Sequence, residues 1–307
     1  MKLDPYNNED LHNRWKKDPN NSHLSKANNQ IIQQYIKDLE EGRNLSRHSR
    51  KGARSFIRIN KTRQKVSYIL ELLEKNQSVD DVTKTTEDQI HKIFNGMRKG
   101  DIRKLDGGIY KATSDYVKNF KAFWHWFMRV SAKQSKAVID ITVELDSTEE
   151  ELPQFNYFTE EQFNEMVKVA DEDMQMVMML MFDTGIRVTE MKNLKVSDLL
   201  NDCKELNIRE ETAKTFGRRI KLMLSSEAIK RYVKHMELKQ DSYLVQLEVK
   251  VLNNRLNSIG KRILKVDNLS MYDFRHSSAC YWYPRYKDVK AYLYRFGWKK
   301  LEMAHYY

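Results

Sequence analysis

The scarcity of helix breakers constrains the fold of this chain more than any other feature of its sequence. Only four prolines and ten glycines occur in 307 residues, and these are the residues that most often punctuate loops and turns. Apolar side chains recur at steps of three and four over 27–42, 62–76, 86–100 and 113–130, which is the spacing of amphipathic helices. We therefore predict long helices joined by short connections.

Two segments predict buried helical faces. The segment 113–130 places four aromatic side chains on one stripe, which is more typical of a core than of a base-stacking surface: Phe120, Phe123, Trp124 and Phe127. The segment 174–182, "MQMVMMLMF", is apolar on all sides and predicts a buried helix in which the methionines fill the core.

An acidic segment that contains a proline, "DSTEEELPQF" at 146–155, separates two regions of helical periodicity and is the best candidate for a linker. We place the domain boundary there, with one domain at 1–150 and a second at 151–307. In the second domain, Thr159 and Gln162 have the spacing of a capping box, which predicts a helix that runs through Val169.

One segment of the second domain has strand character. Apolar positions alternate on either side of "KTFGRR" within 205–224, which predicts a β-hairpin with Gly217 in its turn. A turn through Gly185 leads into a helix, and the sequence after the hairpin has helical patterns as far as the final "EMAHYY". The predicted fold class is mainly α with a small β-hairpin or sheet, α+β.

Charge and composition limit the function. The chain has 54 Lys and Arg against 43 Asp and Glu, a net charge of +11 with a pI near 9.3, so its surface should attract a polyanion such as nucleic acid or an anionic membrane. It has neither an 18-residue apolar stretch nor an apolar signal core near the N-terminus. We expect a soluble cytoplasmic protein that does not interact with membranes.

Cofactor motifs are missing from the sequence. The two cysteines, Cys203 and Cys280, lie far apart and form no CxxC pair, and no glycine belongs to a GxxxxGK[ST] or GxGxxG motif. ATP-driven and dinucleotide chemistry therefore lack their usual phosphate cradle. No cluster of residues indicates a metal site, and we expect neither a metal nor another cofactor.

A basic run lies between the first two predicted helices, at 42–65. It contains no acidic residue and nine basic ones: Arg43, Arg47, Arg50, Lys51, Arg54, Arg58, Lys61, Arg63 and Lys65. Taken alone, such a run is as typical of a solvated face as of a nucleic-acid contact.

Three short segments of the second domain carry suggestive chemistry together. They are "TGIRVTEM" with Arg187, "AKTFGRRIKL" with Lys214 and "YDFRHSSA" with Arg275. In order and spacing they resemble the tyrosine recombinase family, the phage integrases and Xer-type recombinases, whose boxes read TGxRxSE, a lysine hairpin and HxxRH[ST]. Trp298 and Tyr307 stand where that family has its histidine or tryptophan and its nucleophile. The resemblance covers most of 155–307.

The resemblance implies an enzyme and its site. Arg187 and Arg275 would grip a DNA phosphate, Lys214 would donate a proton to the leaving 5′-oxygen, and Tyr307 would attack phosphorus. Trp298 would position the phosphate, and Glu190 and His276 would support the arginines. Tyr272 departs from the family, because histidine is usual there. A phenol is a poor base near neutral pH, so the proton work of that histidine is dispensable here or passes to another group, and Tyr272 itself would hydrogen-bond the phosphate or only pack.

The chemistry explains why these residue types are needed. A covalent phosphotyrosine keeps the energy of the broken phosphodiester bond, so the strand can be resealed without ATP. Guanidinium groups stabilise the negative charge that builds on the phosphate oxygens. A free tyrosine has a pKa of about 10, which nearby cations lower. Tyr307 is preferred over Tyr306 because of its interval from Trp298, and Tyr306 is expected to pack.

The resemblance also implies partners. The first half looks like the core-binding domain of these enzymes, particularly of archaeal and viral members, and double-stranded DNA is the expected substrate. Eight residues of the basic run would then contact phosphates without reading the sequence: Arg47, Arg50, Lys51, Arg54, Arg58, Lys61, Arg63 and Lys65. We expect a dimer or tetramer on DNA. The family continues beyond its nucleophile with a segment that docks on a neighbour, so a shortened chain or another mode of assembly is expected.

Three alternatives remain open at this point. A type IB topoisomerase shares the arginines, the lysine and the tyrosine but relaxes supercoils as a monomer. A relaxase with paired tyrosines needs a His-hydrophobic-His metal motif, which the sequence lacks. A DNA-binding relative without catalysis would retain the fold and would tolerate Tyr272.

Overall fold

A computed structural model describes residues 3–43, 52–146 and 155–306 of the chain. Its contacts divide the chain into two compact units. The helical unit is Asn7–Pro153, and the second unit is Gln154–Tyr307 together with Met1–Tyr6. Within the described ranges, no helix is long and apolar enough to cross a membrane.

The helical unit contains five described α-helices and one 3-10 turn at Val82–Lys84. The helices are α1 (Asn8–Lys17), α2 (Lys26–Glu40), α3 (Phe56–Gln77), α4 (Glu87–Lys99) and α5 (Ser114–Ala132). The four predicted helices are confirmed, and α1 was not predicted. Helix α3 begins at Phe56 rather than near residue 62, so the second half of the basic run is helical and not a connection. The early start buries Ile59, which is 1% exposed.

The aromatic stripe of α5 is confirmed as core in three of its four positions. Phe120, Phe123 and Trp124 are buried, but Phe127 is only partly buried. Trp126 lies outside the predicted stripe and is nevertheless 3% exposed. Its indole donates to Asp38 Oδ2 at 2.8 Å, and its ring lies 4.8 Å from that of Tyr35 on α2. Helix α5 therefore buries more than one face, and its apolar stripe is wider than the sequence pattern predicted.

The second unit combines eight described α-helices with one small sheet and has 3-10 turns at Val196–Asp198 and Tyr283–Arg285. Its elements are α6 (Glu160–Val169), α7 (Glu172–Thr184), α8 (Val188–Met191), β1 (Leu199–Leu200), β2 (Glu205–Ile208), β3 (Arg218–Lys221), α9 (Ser226–His235), α10 (Val249–Ile263), α11 (Met271–Trp282), α12 (Val289–Phe296) and α13 (Glu302–His305). The predicted α+β class is confirmed. Thr159 and Gln162 form the predicted capping box at the start of α6.

The predicted hairpin is confirmed as β2 and β3 of a three-stranded antiparallel sheet with the order β1-β2-β3. Leu206 lies opposite Ile220, and Ile208 lies opposite Arg218. Gly217 is the last residue of the connection rather than its middle, and its N–H donates to the Glu210 carboxylate. The connection thus delivers Arg218 directly into the strand, with its side chain on the buried side of the sheet.

Helix α7 is the central helix of the second unit and packs against α11. Met174, Met178 and Met181 are buried in its core, as the apolar sequence predicted. The helix ends at Gly185, whose φ of +57° is left-handed. A Cβ at this position would overlap the Phe296 ring, with Cδ1 only 2.7 Å away. This turn fixes the position of Arg187, two residues further on.

We expect Gly185→Ala to lower the free energy of unfolding by about 2–5 kcal/mol. A left-handed backbone costs an L-residue about 1–2 kcal/mol, and an overpacked core costs about 1–3 kcal/mol more. Urea denaturation followed by circular dichroism measures the loss. Gly107→Ala is the matched control, because Gly107 has a φ of +78° but no atom within 4 Å of its new Cβ. Equal losses in the two variants would contradict the contact with Phe296.

Candidate active site

The C-terminal end of α12 holds three arginines through three consecutive carbonyl groups, here called the carbonyl turn (residues 295–297). Arg218 Nε donates to Arg295 O at 2.9 Å, and Arg275 Nη2 donates to Phe296 O at 2.8 Å. Arg187 Nη2 donates to Gly297 O at 3.0 Å. The last carbonyls of a helix have no partner within the helix and carry its negative dipole end, so cations are favoured there.

Glu190 connects two of these arginines. Its carboxylate is fully buried and accepts from Arg187 Nη1 at 3.0 Å and from Arg218 Nη2 at 2.9 Å. Burial alone would raise the pKa of Glu190, but the hydrogen bonds and charges of Arg218 and Arg187 outweigh it and lower that pKa to about 2. Glu190 is therefore ionised at neutral pH, and it compensates the charge of both guanidinium groups.

A second buried pair supports the same turn from behind. Arg295 Nη2 lies 2.7 Å from Asp183 Oδ1, and its guanidinium carbon lies 4.3 Å from the centre of the Trp282 ring. Asp183 Oδ2 accepts from three consecutive backbone N–H groups, those of residues 223–225, each at 2.9 Å. Asp183 thus ties the end of α7 to the start of α9 and to the helix that carries the carbonyl turn.

The structure brings the two predicted arginines together. Arg187 keeps 18% of its side chain exposed. Arg275 is more buried and also donates to Gly185 O. Trp298 is 6% exposed, stacks on Phe296 at 4.8 Å between ring centres, and lies 5.3 Å below the Arg275 guanidinium. Because consecutive residues lie only about 3.8 Å apart along a chain, two guanidinium groups on adjacent carbonyls are held close to each other.

Lys214 lies in the connection between β2 and β3, and its side chain is exposed. Its neighbour Thr215 donates through Oγ1 to Gly297 O at 2.8 Å. The connection that carries the lysine is therefore attached to the same carbonyl that holds Arg187.

The remaining predicted side chains form an aromatic group around His276. This ring stacks on Phe155 at 4.2 Å, and Tyr272 meets it edge-on at 4.3 Å, with 58% of Tyr272 exposed. Tyr306 lies 5.9 Å from His276. Burial, together with the charge of Arg275, lowers the pKa of His276 to about 4, so the imidazole is neutral at pH 7. Tyr307 lies outside the described residues.

The residues of the basic run that are predicted to contact DNA lie in different environments. Arg47, Arg50 and Lys51 lie outside the described residues. Arg58 and Lys61 are exposed on α3. Lys65 pairs with Asp115 at 3.2 Å and lies over the Tyr116 ring. Arg63 lies on another side of α3, with its guanidinium carbon 4.6 Å from the centre of the Trp15 ring. The run is therefore not one continuous surface.

The structure adds one basic residue that the sequence did not single out. Burial raises the pKa of Tyr35 to about 12, and the charges of Arg58, Arg129 and Arg54 act against that rise. The charges of these three arginines therefore act on one hydroxyl group, although Arg129 comes from α5, far along the chain. A periodicity analysis of α5 could have placed Arg129 on the exposed side, but nothing in the sequence pairs it with α3.

The fold is shared with solved site-specific recombinases. A crystal structure of a lambda integrase dimer bound to a COC′ core site matches with a TM-score of 0.67 and 15% identity, over 97% of this chain and 80% of that one. A pre-cleavage complex of the XerH recombinase with its difH substrate matches with a TM-score of 0.62 and 14% identity, over 92% of this chain and 93% of that one. The likeness to these structures defines the fold of the chain.

Sequence comparison specifies the family. Residues 149–307 match the phage integrase family, so the chain belongs to it and is a tyrosine recombinase, as its motifs predicted. The tyrosine recombinase XerC of Staphylococcus aureus (strain MRSA252) is 23% identical over 290 residues, which cover 86% of each chain. XerC of strain MW2 is 22% identical over the same share.

We expect Glu190→Gln to lower the free energy of unfolding by about 3 kcal/mol at pH 7, because the pKa shift from 4.5 to about 2 corresponds to roughly that energy. Because the pKa of Glu190 is lower in the folded than in the unfolded protein, its ionised form stabilises the fold at pH values above the ordinary pKa. This stabilisation is lost as the pH falls through the folded-state pKa. The difference from wild type should therefore be complete above about pH 5 and shrink toward pH 2. Urea denaturation at several pH values measures it, with exposed Glu165→Gln as control. A difference that does not change with pH would contradict the assignment.

Proposed function

We propose that this protein is a site-specific recombinase that cuts and rejoins double-stranded DNA through a covalent 3′-phosphotyrosine intermediate. Membership in the phage integrase family supports this proposal. The observation that carries it is the carbonyl turn, which holds Arg187 and Arg275 on adjacent carbonyl groups. Two fixed guanidinium groups that are bonded to neighbouring carbonyl groups suit one phosphate, since each can offer paired charged donors to its oxygens.

The arginines act on the charge that develops during the reaction. As an oxygen attacks phosphorus, negative charge accumulates on the nonbridging oxygens, and donors already in place stabilise it without reorganising. Glu190 and the carbonyl turn hold Arg187 from one side, so its partly exposed edge remains for the phosphate. Trp298 supports Arg275 from below rather than lying open to the substrate, because its side chain is almost fully buried.

The proton and the covalent bond have proposed carriers. The Tyr307 oxygen forms a bond to phosphorus as the bond from phosphorus to the 5′-oxygen breaks, and the tyrosine releases its proton to water. Lys214, exposed on an anchored connection, gives a proton to the departing 5′-oxygen. Rejoining reverses both steps, and the energy of the phosphodiester is retained in the phosphotyrosine. His276 is neutral and packs between Phe155 and Tyr272, and Tyr272 takes the outer, exposed position.

The helical unit is proposed to contact the DNA backbone. The charges of Arg54, Arg58 and Arg129 act on the Tyr35 hydroxyl, and Lys61 is exposed on the same helix as Arg58. Phosphate contacts of this kind position a duplex without reading its sequence. The net charge of +11 favours the encounter.

The oligomeric state of the protein, its cellular location and its origin are also part of the proposal. The lambda integrase structures similar to this chain contain a dimer on a core site and a tetramer on a Holliday junction, which supports a homo-oligomer on DNA here. We further propose that the protein works in the cytoplasm beside the nucleoid or is encoded by a virus or mobile element. The resemblance of the first half to archaeal and viral members supports that origin, whereas the named relatives given above are bacterial.

We expect a nicked suicide duplex that carries the recombination site to trap a covalent complex with the wild-type protein and none with Tyr307→Phe. A denaturing gel with labelled DNA measures the complex. Arg187→Lys and Arg275→Lys should each slow its formation by about 10²–10³-fold, the usual effect of losing one preorganised donor. Footprinting on host and element DNA would first identify the site.

Tyr306→Phe is the matched control, because it removes the neighbouring hydroxyl and keeps the ring that packs near His276. It should form the complex at close to the wild-type rate. Loss of the complex in Tyr306→Phe alone would move the nucleophile to Tyr306. Relaxation of supercoiled DNA without exchange between two sites would instead favour a type IB topoisomerase.

We expect the double variant Arg58→Gln, Lys61→Gln to bind DNA less tightly and with a weaker salt dependence. Each lost phosphate contact reduces the slope of log K against log salt by about 0.9, so two contacts reduce it by about 1.8. Fluorescence anisotropy at several salt concentrations measures the slope. The control Lys84→Gln, Lys92→Gln removes two exposed lysines that pair with acids in the same unit. An equal reduction in both double variants would show a nonspecific effect of net charge.

A further inference from the structure

Arg218 has no counterpart among the residues predicted from the family motifs, although it is the most buried arginine of the site. We propose that Arg218 is a positioning residue for DNA cleavage, acting through Glu190 and the carbonyl turn on Arg187. Its catalytic consequence rests on the proposed function, whereas its effect on the Arg187 side chain does not.

The hydrogen bonds of Arg218 use the whole planar group. Nη1 donates to Glu190 Oε1 at 3.2 Å and Nη2 donates to Oε2 at 2.9 Å, which is a bidentate pair. Nε donates to Arg295 O at 2.9 Å. The Arg218 side chain is 0% exposed. A single planar group thus fixes the distance between the Glu190 carboxylate and the start of the carbonyl turn.

Arg187 depends on the same two partners. Glu190 Oε1 accepts from Arg187 Nη1 at 3.0 Å, and Oε2 accepts from the Arg187 backbone N–H at 3.0 Å. Arg187 Nη2 then reaches Gly297 O. Both terminal nitrogens of Arg187, Nη1 and Nη2, are therefore bonded to groups that Arg218 orients. These groups are the Glu190 carboxylate and the carbonyl turn.

The close approach of the two arginines shows why the carboxylate has to be in place. A Cβ on Gly297 would lie 2.8 Å from Arg218 Nη1 and 3.2 Å from Arg187 Nη1, so both nitrogens lie against the same glycine. Two positive groups this close repel each other unless a negative group compensates them. Loss of Arg218 would leave Glu190 with a single guanidinium partner and Arg295 O without this donor.

Arg187 and Arg218 are the charged groups that face Glu190. Without Arg218, burial of the carboxylate would be opposed by Arg187 alone, and its pKa would rise. Protonated Glu190 would hold Arg187 less firmly, so cleavage should fail at a higher pH than in the wild type. Replacing a residue that only stabilises the fold would not change the pH at which cleavage fails.

The test uses Arg218→Met and Arg218→Lys in the full chain, on the suicide duplex. Single-turnover cleavage at saturating protein should be slower by about 10–100-fold in Arg218→Met, the usual range for residues that orient an active-site ligand. The dissociation constant for DNA should change less than twofold. In a plot of cleavage rate against pH, the fall in rate at acidic pH (the acid limb) should occur at a higher pH than in the wild type. Arg218→Lys keeps the charge but cannot bond both oxygens and the carbonyl, so its rate should be intermediate.

Arg209→Met is the control, because Arg209 pairs with Glu211 at 3.0 Å and with Asp198 at 3.1 Å and donates to Asn193 O at 2.6 Å, whereas its bonds among the described residues do not include Glu190 or the carbonyl turn. It should leave the rate and its pH profile unchanged. If Arg218→Met folds and its cleavage rate and acid limb equal those of the wild type, the inference is overturned. If Arg218→Met fails to fold, the same two results in Arg218→Lys would overturn it.

A measurement without DNA separates this inference from the proposed function. The Arg187 side-chain Nη–H resonances, assigned by mutation, report the bonds to Glu190 and Gly297 and should lose their protection from exchange in Arg218→Met and keep it in Arg209→Met. Protection equal to wild type in Arg218→Met would also refute the inference. If the wild-type protein forms no covalent complex, the proposed function fails, and the resonances alone decide whether Arg218 positions Arg187.

Discussion

The carbonyl turn at the end of α12 is the interaction on which the rest of the site depends. A helix of eight residues ends there, and its last carbonyl groups have no partner within the helix. Three arginines from β3, α11 and the start of α8 supply the missing donors. The need of the helix end for hydrogen bonds and the need of the arginines for fixed positions are met by the same contacts.

Buried charge is the cost of this arrangement, and two carboxylates offset it. Glu190 lies between Arg187 and Arg218, and Asp183 neutralises Arg295 behind the turn. A guanidinium taken out of water without a partner loses several kcal/mol of solvation. The four guanidinium and two carboxylate groups retain a net positive charge, and the partly exposed Arg187 brings it to the surface. A phosphate that enters meets donors already oriented toward it.

Local patterns in the sequence predicted the elements that depend on local rules. The capping box at Thr159, the apolar helix 174–182 and the strand alternation about Gly217 each express hydrogen bonding or packing within a few residues. The family motifs predicted Arg187 and Arg275 and the family itself. Helix α1 was missed because its contacts are not typical of an amphipathic stripe: its buried residue is His12, which packs on Trp15 and Phe56.

Arg218 could not be predicted, because its partner Glu190 is 28 residues away and is reached only through the register of β3. In sequence it is one of two adjacent arginines on a strand, and alternation alone does not say which of them meets a carboxylate. The environments of the basic run were unpredictable for a related reason. Its residues share a charge, but a helix that begins at Phe56 turns Arg63 toward Trp15 and leaves Arg58 and Lys61 exposed.

The chemistry of the guanidinium group explains why lysine could not replace these arginines. Each of the three arginines has to bond a backbone carbonyl and at least one further acceptor at the same time, and a planar fork with five N–H donors can do so in one rigid orientation. An ammonium group would have to choose among these partners, and its rotatable stem would not fix the direction of the remaining donors. The rigidity of the site therefore comes from side chains that are themselves rigid and that are bonded to a helix end the fold already requires.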